Sequence, residues 1–225
     1  MPDLNPSVTS DTFSLTAPID KRFPGCFMQP GFLSILSESS NYDILILNMT
    51  QEALFIAKTM VVYYSRKCEN YMPGGLQFLE KGHTERAAEF IAEALGADLF
   101  EVDTVKPYAE NYWACCGEAA AEAKANARPE IKGYVADLSG YDTIFVCYPC
   151  WCGTAPMCIF TFLEHYDLGG KRIAPLCSNE GSGMGNSEAD LARSCPGATI
   201  LPGLSVKGHQ TVQLKQEIVD WAKSV

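Results

Sequence analysis

Thr59-Met-Val-Val-Tyr-Tyr64 is an unbroken apolar run that stops abruptly at Ser65-Arg-Lys-Cys-Glu-Asn70. Two later runs share that form. Thr143-Ile-Phe-Val-Cys147 ends in Tyr148-Pro-Cys-Trp-Cys-Gly153, and Arg172-Ile-Ala-Pro-Leu-Cys177 ends in Ser178-Asn-Glu-Gly-Ser-Gly183. Helical patterns separate them. After a short excursion from the first run, Lys81-Gly-His-Thr84 opens a helix over residues 84–95, with Ala87, Phe90, Ile91 and Leu95 on one face. Gly96 is its natural stop. A short strand over 97–102 and an Ala- and Glu-rich helix over 108–126 follow. The pattern then predicts a helix from Ala155 to Tyr166, with Pro156 in its first turn, where a missing N–H costs little. A helix at 188–193, an edge strand at 198–201 and an amphipathic helix over 212–223 complete the chain. Strands alternating with helices predict right-handed βαβ units, and so an α/β domain on a five-stranded parallel sheet. In such a sheet, ligands sit beyond the carboxyl ends of the strands, where strand order reverses. Three ligand-ready loops on one edge therefore predict a single site.

Composition narrows the function. At 225 residues the chain suits one domain with an appendage. Its net charge of −10 argues against nonspecific binding to nucleic acid and is compatible with docking onto a basic protein. No apolar run reaches the length of a membrane span, and the start carries no secretory pattern, so a cytoplasmic protein is expected. Of the ten cysteines, Cys147 and Cys177 fall in expected strands and Cys158 in an expected helix. Cysteine behaves there as a small hydrophobe, and reduced thiols are expected. Residues 1–58 lack a sustained period and read as a poorly ordered N-terminal extension to a domain over 59–225. Alternatively, residues 43–57 form an extra element docked on it.

Each loop has a candidate chemistry. Backbone N–H groups where the 84–95 helix starts favour an anion such as phosphate. Ser65 and Thr84 can add hydroxyls, while Arg66 or Lys67 can add charge; otherwise this is an ordinary strand-to-helix turn with Thr84 as its cap. The residues match neither the P-loop nor the GxGxxG fingerprint, which disfavours an ATPase or an ordinary Rossmann dehydrogenase. In the second loop Trp151 can lie against an aromatic ring, and Gly153 allows close backbone approach; a packing role for Trp151 is the alternative. Cys147-x-x-Cys150 has thioredoxin-like spacing, but Cys147 is expected inside the sheet. The glycine-rich third loop, Ser178 to Gly185, can lay backbone groups along a heterocycle edge or be a surface turn.

Residues 59–205 resemble the flavodoxin-like family, and most of all its bacterial branch with a lengthened phosphate loop. The resemblance rests on Tyr64-Ser-Arg66 through Glu80-Lys-Gly-His-Thr-Glu85, Gly96-Ala-Asp-Leu-Phe-Glu101, Lys106-Pro-Tyr108 and Asn126-Ala-Arg-Pro129. It continues through Tyr141-Asp-Thr-Ile-Phe145, Tyr148-Pro-x-Trp151, Gly153-x-x-Pro156, Thr161-Phe-Leu-Glu164, Gly170-Lys171 and Glu180-Gly-Ser-Gly183. It implies a doubly wound sheet of order 2-1-3-4-5 with helices on both faces, FMN at the strand ends, and one- or two-electron redox chemistry. By the same resemblance Ser65, Arg66, Lys67, His83 and Thr84 fall on the phosphate loop. Pro149, Cys150, Trp151, Cys152 and Gly153, with Asn179, Glu180, Gly181 and Gly183, would flank the flavin ring.

The chain departs from the family pattern in four places. Lys67 and Cys68 stand where Thr-Gly is usual, His83 where Asn is usual, and Cys152 where a second Trp is usual. Loss of that Trp removes stacking surface, and loss of the loop Gly restricts the backbone. The expected function is electron transfer, as a carrier or a small flavin-dependent oxidoreductase, with a redox protein or a small electron acceptor as partner. The rivals are a thiol-redox or metal module using Cys147, Cys150 and Cys152, and a binding protein that keeps the fold without a cofactor. No residue stands out as a catalytic acid, base or nucleophile.

Overall fold

The computed structural model describes residues 58–225, so the expectations for residues 1–57 lie outside the described residues. Strand β1 spans Lys58–Tyr63 and is followed by a hairpin of β2 (Cys68–Met72) and β3 (Gly75–Leu79). Then come α1 (His83–Leu95), β4 (Asp98–Glu101), α2 (Tyr112–Ala125), β5 (Tyr141–Pro149) and α3 (Met157–Leu163). The chain ends with β6 (Arg172–Asn179), α4 (Ser187–Ser194), β7 (Thr199–Ile200), β8 (Leu204–Lys207) and α5 (Lys215–Ser224).

All pairings of the main sheet are parallel, in the order β4-β1-β5-β6-β7, with β8 also on β6. This is the expected 2-1-3-4-5 order, with the reversal between β1 and β5. The strands read as continuous apolar runs because both faces are covered. Alternation sends Val61, Tyr63, Phe145, Cys147, Ala174 and Leu176 to one face, where they meet Ala87, Ala88 and Ile91 of α1 and Ile218 and Ala222 of α5. Met60, Val62, Ile144, Val146, Tyr148, Ile173 and Cys177 face the other way, against α3 and Leu191 of α4.

Two features differ from the expected elements. The excursion after β1 is a regular antiparallel hairpin, with Met72 paired to Gly75 across Pro73-Gly74. Gly74 has the φ of +97 that the turn requires, and Pro73 before it has its own φ fixed by the ring. The fifth strand is broken into β7 and β8. Leu201 N still donates to Ile173 O at 2.8 Å, but Pro202 has no N–H to give the ladder, and Gly203 N turns to Glu188 Oε1 at 2.9 Å. Among the described residues no helix is long and apolar enough to cross a membrane.

Candidate functional site

Strand β1 hands the chain to Ser65, which is buried and whose Oγ accepts from Glu85 N at 3.0 Å. Gly82, at the start of α1, lies so close that a Cβ there would sit 2.1 Å from Ser65 Oγ and 2.5 Å from Arg66 O. Its φ of −71 suits any residue, so glycine is needed here for room. Ser65-Arg66 and Lys81-Gly82-His83-Thr84 thus form one turn from which the hairpin is looped out. Cys68, which stands where the family has a glycine, holds a left-handed φ of 69.

The N–H groups at the start of α1 have no helical acceptor and carry the positive end of the macrodipole. His83 Nε2 is buried and has no hydrogen-bond partner among the described residues. Burial holds the His83 imidazole below its ordinary pKa, against the opposing pull of Glu180. The Thr84 hydroxyl is shared with Ser178 Oγ at 2.7 Å and ties α1 to the end of β6. Arg66 is buried, and its guanidinium is spent on backbone: Nε donates to Glu69 O at 2.7 Å, and the terminal nitrogens to Ala109 O at 3.1 Å and Glu110 O at 2.7 Å. It braces the hairpin against the lead-in to α2. Lys67 leaves the turn for Glu101 at 3.1 Å and Glu85 at 3.9 Å.

The second loop supplies an aromatic wall. Trp151 sits edge-on to Tyr64 and Tyr108, with centroids at 5.2 and 4.9 Å, and exchanges backbone hydrogen bonds with Thr154 at 2.8 and 3.0 Å. It both lines the cavity and packs on the core. Cys152 and Gly153, with φ of 51 and 80, turn the chain aside into a neighbouring cavity of about 530 Å³ beside α3 and α4. In the third loop Asn179 Oδ1 accepts from Gly181 N at 2.9 Å and Gly183 N at 3.0 Å, while its Nδ2 donates to Ser205 Oγ at 2.9 Å. Glu180 accepts from His209 N at 2.9 Å and meets His209 Nδ1 at 2.5 Å.

Of the expected site residues, Arg66, His83, Pro149, Cys150, Trp151, Asn179 and Glu180 line one cavity of about 280 Å³ at the strand ends. Ser65 and Thr84 do not line it and serve as braces, through Glu85 N and Ser178 Oγ. Lys67, Cys152, Gly153, Gly181 and Gly183 do not line it. Sequence reasoning missed Asn70 and Tyr71 of the hairpin and Tyr112 at the start of α2, which line the wall along with Ser178, Ser182 and Gly208. Pro73-Gly74 was the available signal for the hairpin. Of the thiol rival's Cys147, Cys150 and Cys152, the first two do not share a face. Cys147 is fully buried on the α1 face, Cys150 packs toward the opposite one, and burial pushes the Cys147 thiol up. Among the described residues no group of three or more His, Cys, Asp or Glu could hold a metal ion.

Comparison with known proteins follows the same lines. A family model described as Flavodoxin matches residues 76–225. A candidate flavoprotein from Bacteroides uniformis has a crystal structure similar to this chain at 28% identity and TM-score 0.59, covering 72% of this chain and 97% of that one. One from Bacteroides eggerthii is 27% identical, with TM-score 0.56, covering 72% and 98%. A flavoprotein from Lactobacillus acidophilus, solved in complex with FMN, has the same fold at 20% identity and TM-score 0.53, covering 70% and 97%. Among curated proteins none matches.

Proposed function

The chain belongs to the flavodoxin family, and from that premise we propose that it binds FMN at the strand ends and works in cytoplasmic electron transfer, as a carrier or a small flavin-dependent oxidoreductase. The observation that carries this reading is the buried, unpartnered His83 Nε2 beside the first turn of α1. A buried polar atom without a partner costs free energy unless a ligand or water satisfies it. An FMN phosphate would satisfy it, together with the N–H groups of residues 82–84. Gly82 lets the Ser65-Arg66 turn pack against the start of α1, which holds those N–H groups in place. Bound FMN supplies one- or two-electron chemistry. The chain's own task is to hold and insulate it: Trp151, Tyr71 and Tyr112 offer the aromatic walls, and Asn179 shapes the polar edge. Residues 59–225 carry a net charge of −7. An acidic surround disfavours an anionic reduced flavin and so lowers its potential. It also suits a basic redox protein as partner, with a small electron acceptor as the other option.

Trp151→Ala tests the ring site. An aromatic pair is worth about 0.5–1.5 kcal/mol beyond burial, so flavin should bind roughly 2- to 10-fold more weakly, with a shifted visible band. Trp113→Ala is the control, since Trp113 is 65% exposed and does not line the cavity. Flavin fluorescence titration of both variants checks this. Equal behaviour of the two would assign Trp151 to packing alone.

A further inference from the structure

A stripe of exposed apolar side chains runs from the cavity wall along the hairpin and the start of α2, and the flavin reading uses only its inner end, Tyr71 and Tyr112. The hairpin register pairs Tyr71 with Leu76 and Glu69 with Phe78, and strand alternation puts these four on one face. Tyr71 lines the cavity, and its ring centroid lies 6.2 Å from that of Tyr112, which lies 5.1 Å from that of Trp113. Glu69 accepts from Tyr112 N at 2.8 Å and from Asn111 Nδ2 at 2.9 Å, which fixes the hairpin against α2. Four of the eight large apolar side chains exposed among the described residues, Tyr71, Leu76, Phe78 and Trp113, therefore fall on one stripe. Single apolar residues on a surface carry no message, whereas a contiguous patch marks an interaction site.

The charge around the stripe is of one sign. Residues 68–80 and 107–123, which carry it, hold Glu69, Glu80, Glu110, Glu118 and Glu122 and no Lys, Arg or His. The cations that flank these segments are engaged: Arg66 on backbone carbonyls, Lys67 on Glu101 and Glu85, Lys81 on Glu89, and Lys106 on Glu118. Glu80 and Glu110 are exposed and enter no ion pair among the described residues. An apolar centre beside unneutralised carboxylates fits a partner of the opposite build, an apolar spot ringed by Lys and Arg. It does not fit a second copy of this chain, whose stripe would bring the same carboxylates against their own kind.

We propose that this stripe is the docking surface for a basic redox protein, with Phe78 and Trp113 as the apolar anchors and Glu80 and Glu110 as the charges that steer the partner in. A few aromatic anchors carry most of the energy of such an interface, while exposed charges at its rim set the rate of encounter. Docking there seats the partner against the Tyr71–Tyr112 wall of the cavity, on the far side from the flavin. The redox character of the partner rests on the flavin reading above; the docking chemistry rests on the stripe and its carboxylates alone. Phe78 and Trp113 are each 65% exposed and do not line the cavity, so truncating them removes docking surface without opening the core or the cofactor site.

Cytochrome c, a basic haem protein whose exposed haem edge is ringed by lysines, is the probe. Calorimetric titration of the full chain, with and without FMN, should show equimolar binding that weakens as salt rises. Phe78→Ser combined with Trp113→Ser should weaken it about 10-fold or more at an unchanged urea midpoint. Glu80→Gln combined with Glu110→Gln should slow association and flatten the salt dependence, with dissociation little changed. Cytochrome c with acetylated lysines should not bind. The proposal is overturned if cytochrome c fails to bind at low salt, if the Phe78 and Trp113 variant binds as tightly as the unsubstituted chain, or if acetylation changes nothing. It is also overturned if sedimentation shows a dimer that Phe78→Ser dissociates, because the stripe would then be a contact between copies. If the chain takes up no FMN yet binds cytochrome c through the stripe, the flavin reading falls while the docking surface stands.

Discussion

Gly82→Val should abolish measurable FMN binding and destabilise the fold. A Cβ at this position meets Ser65 Oγ at 2.1 Å and the carbonyl of Arg66 at 2.5 Å, and the second is backbone that no rotamer can move. Overpacking of this kind costs about 1–3 kcal/mol. Relief requires the Ser65 turn and the start of α1 to part, which also scatters the N–H groups offered to the phosphate. Two readouts separate the effects: the urea midpoint for stability and flavin fluorescence for binding. Because φ at Gly82 is −71, the loss comes from contact rather than backbone strain. Gly82→Ala should therefore show the same defects to a smaller degree. If Gly82→Val binds FMN as tightly as the unsubstituted chain, the turn does not hold the phosphate.

Arg66→Leu should be the most damaging substitution for the local architecture. It strips the carbonyls of Glu69, Ala109 and Glu110 of their charged donor in a part-buried setting. Hydrogen bonds to a charged group are worth about 1.5–3 kcal/mol each, and a loss of about 3 kcal/mol overall is expected because the three act as a unit. The hairpin should loosen first, so the amide of Glu69, which donates to Glu110 O at 3.4 Å, should lose hydrogen-exchange protection before the main sheet does. Arg66→Lys should rescue little, since one ammonium cannot reproduce a planar fork spanning three acceptors. Exchange unchanged at the hairpin in Arg66→Leu would show that β2 and β3 hold without the guanidinium.

The sheet was legible in the sequence because β1, β5 and β6 are covered on both faces and must be continuously apolar. The boundaries of α1 were legible for a related reason, with Gly96 stopping the helix at φ 60. The hairpin was not legible. Its outward residues Tyr71 and Phe78 are 51% and 65% exposed, so no core-facing period marks it, and only the Pro73-Gly74 turn betrays two strands. The fifth strand was half legible, because Pro202-Gly203 reads as an ending where the chain resumes pairing as β8.

At the site, position along the strand ends was readable and hydrogen bonding was not. Arg66 and Lys67 look like phosphate ligands from their charge, yet the fold spends the first on backbone carbonyls and the second on Glu101 and Glu85.

FMN binding at the strand ends, phosphate against the first turn of α1, is tested most directly by titrating the full chain with FMN and with riboflavin, which lacks the phosphate. Charge-assisted hydrogen bonds to the dianion should be worth about 1.5–3 kcal/mol, so FMN should bind roughly 10- to 100-fold more tightly than riboflavin. Equal affinity for the two, or no binding of either, would contradict the assignment.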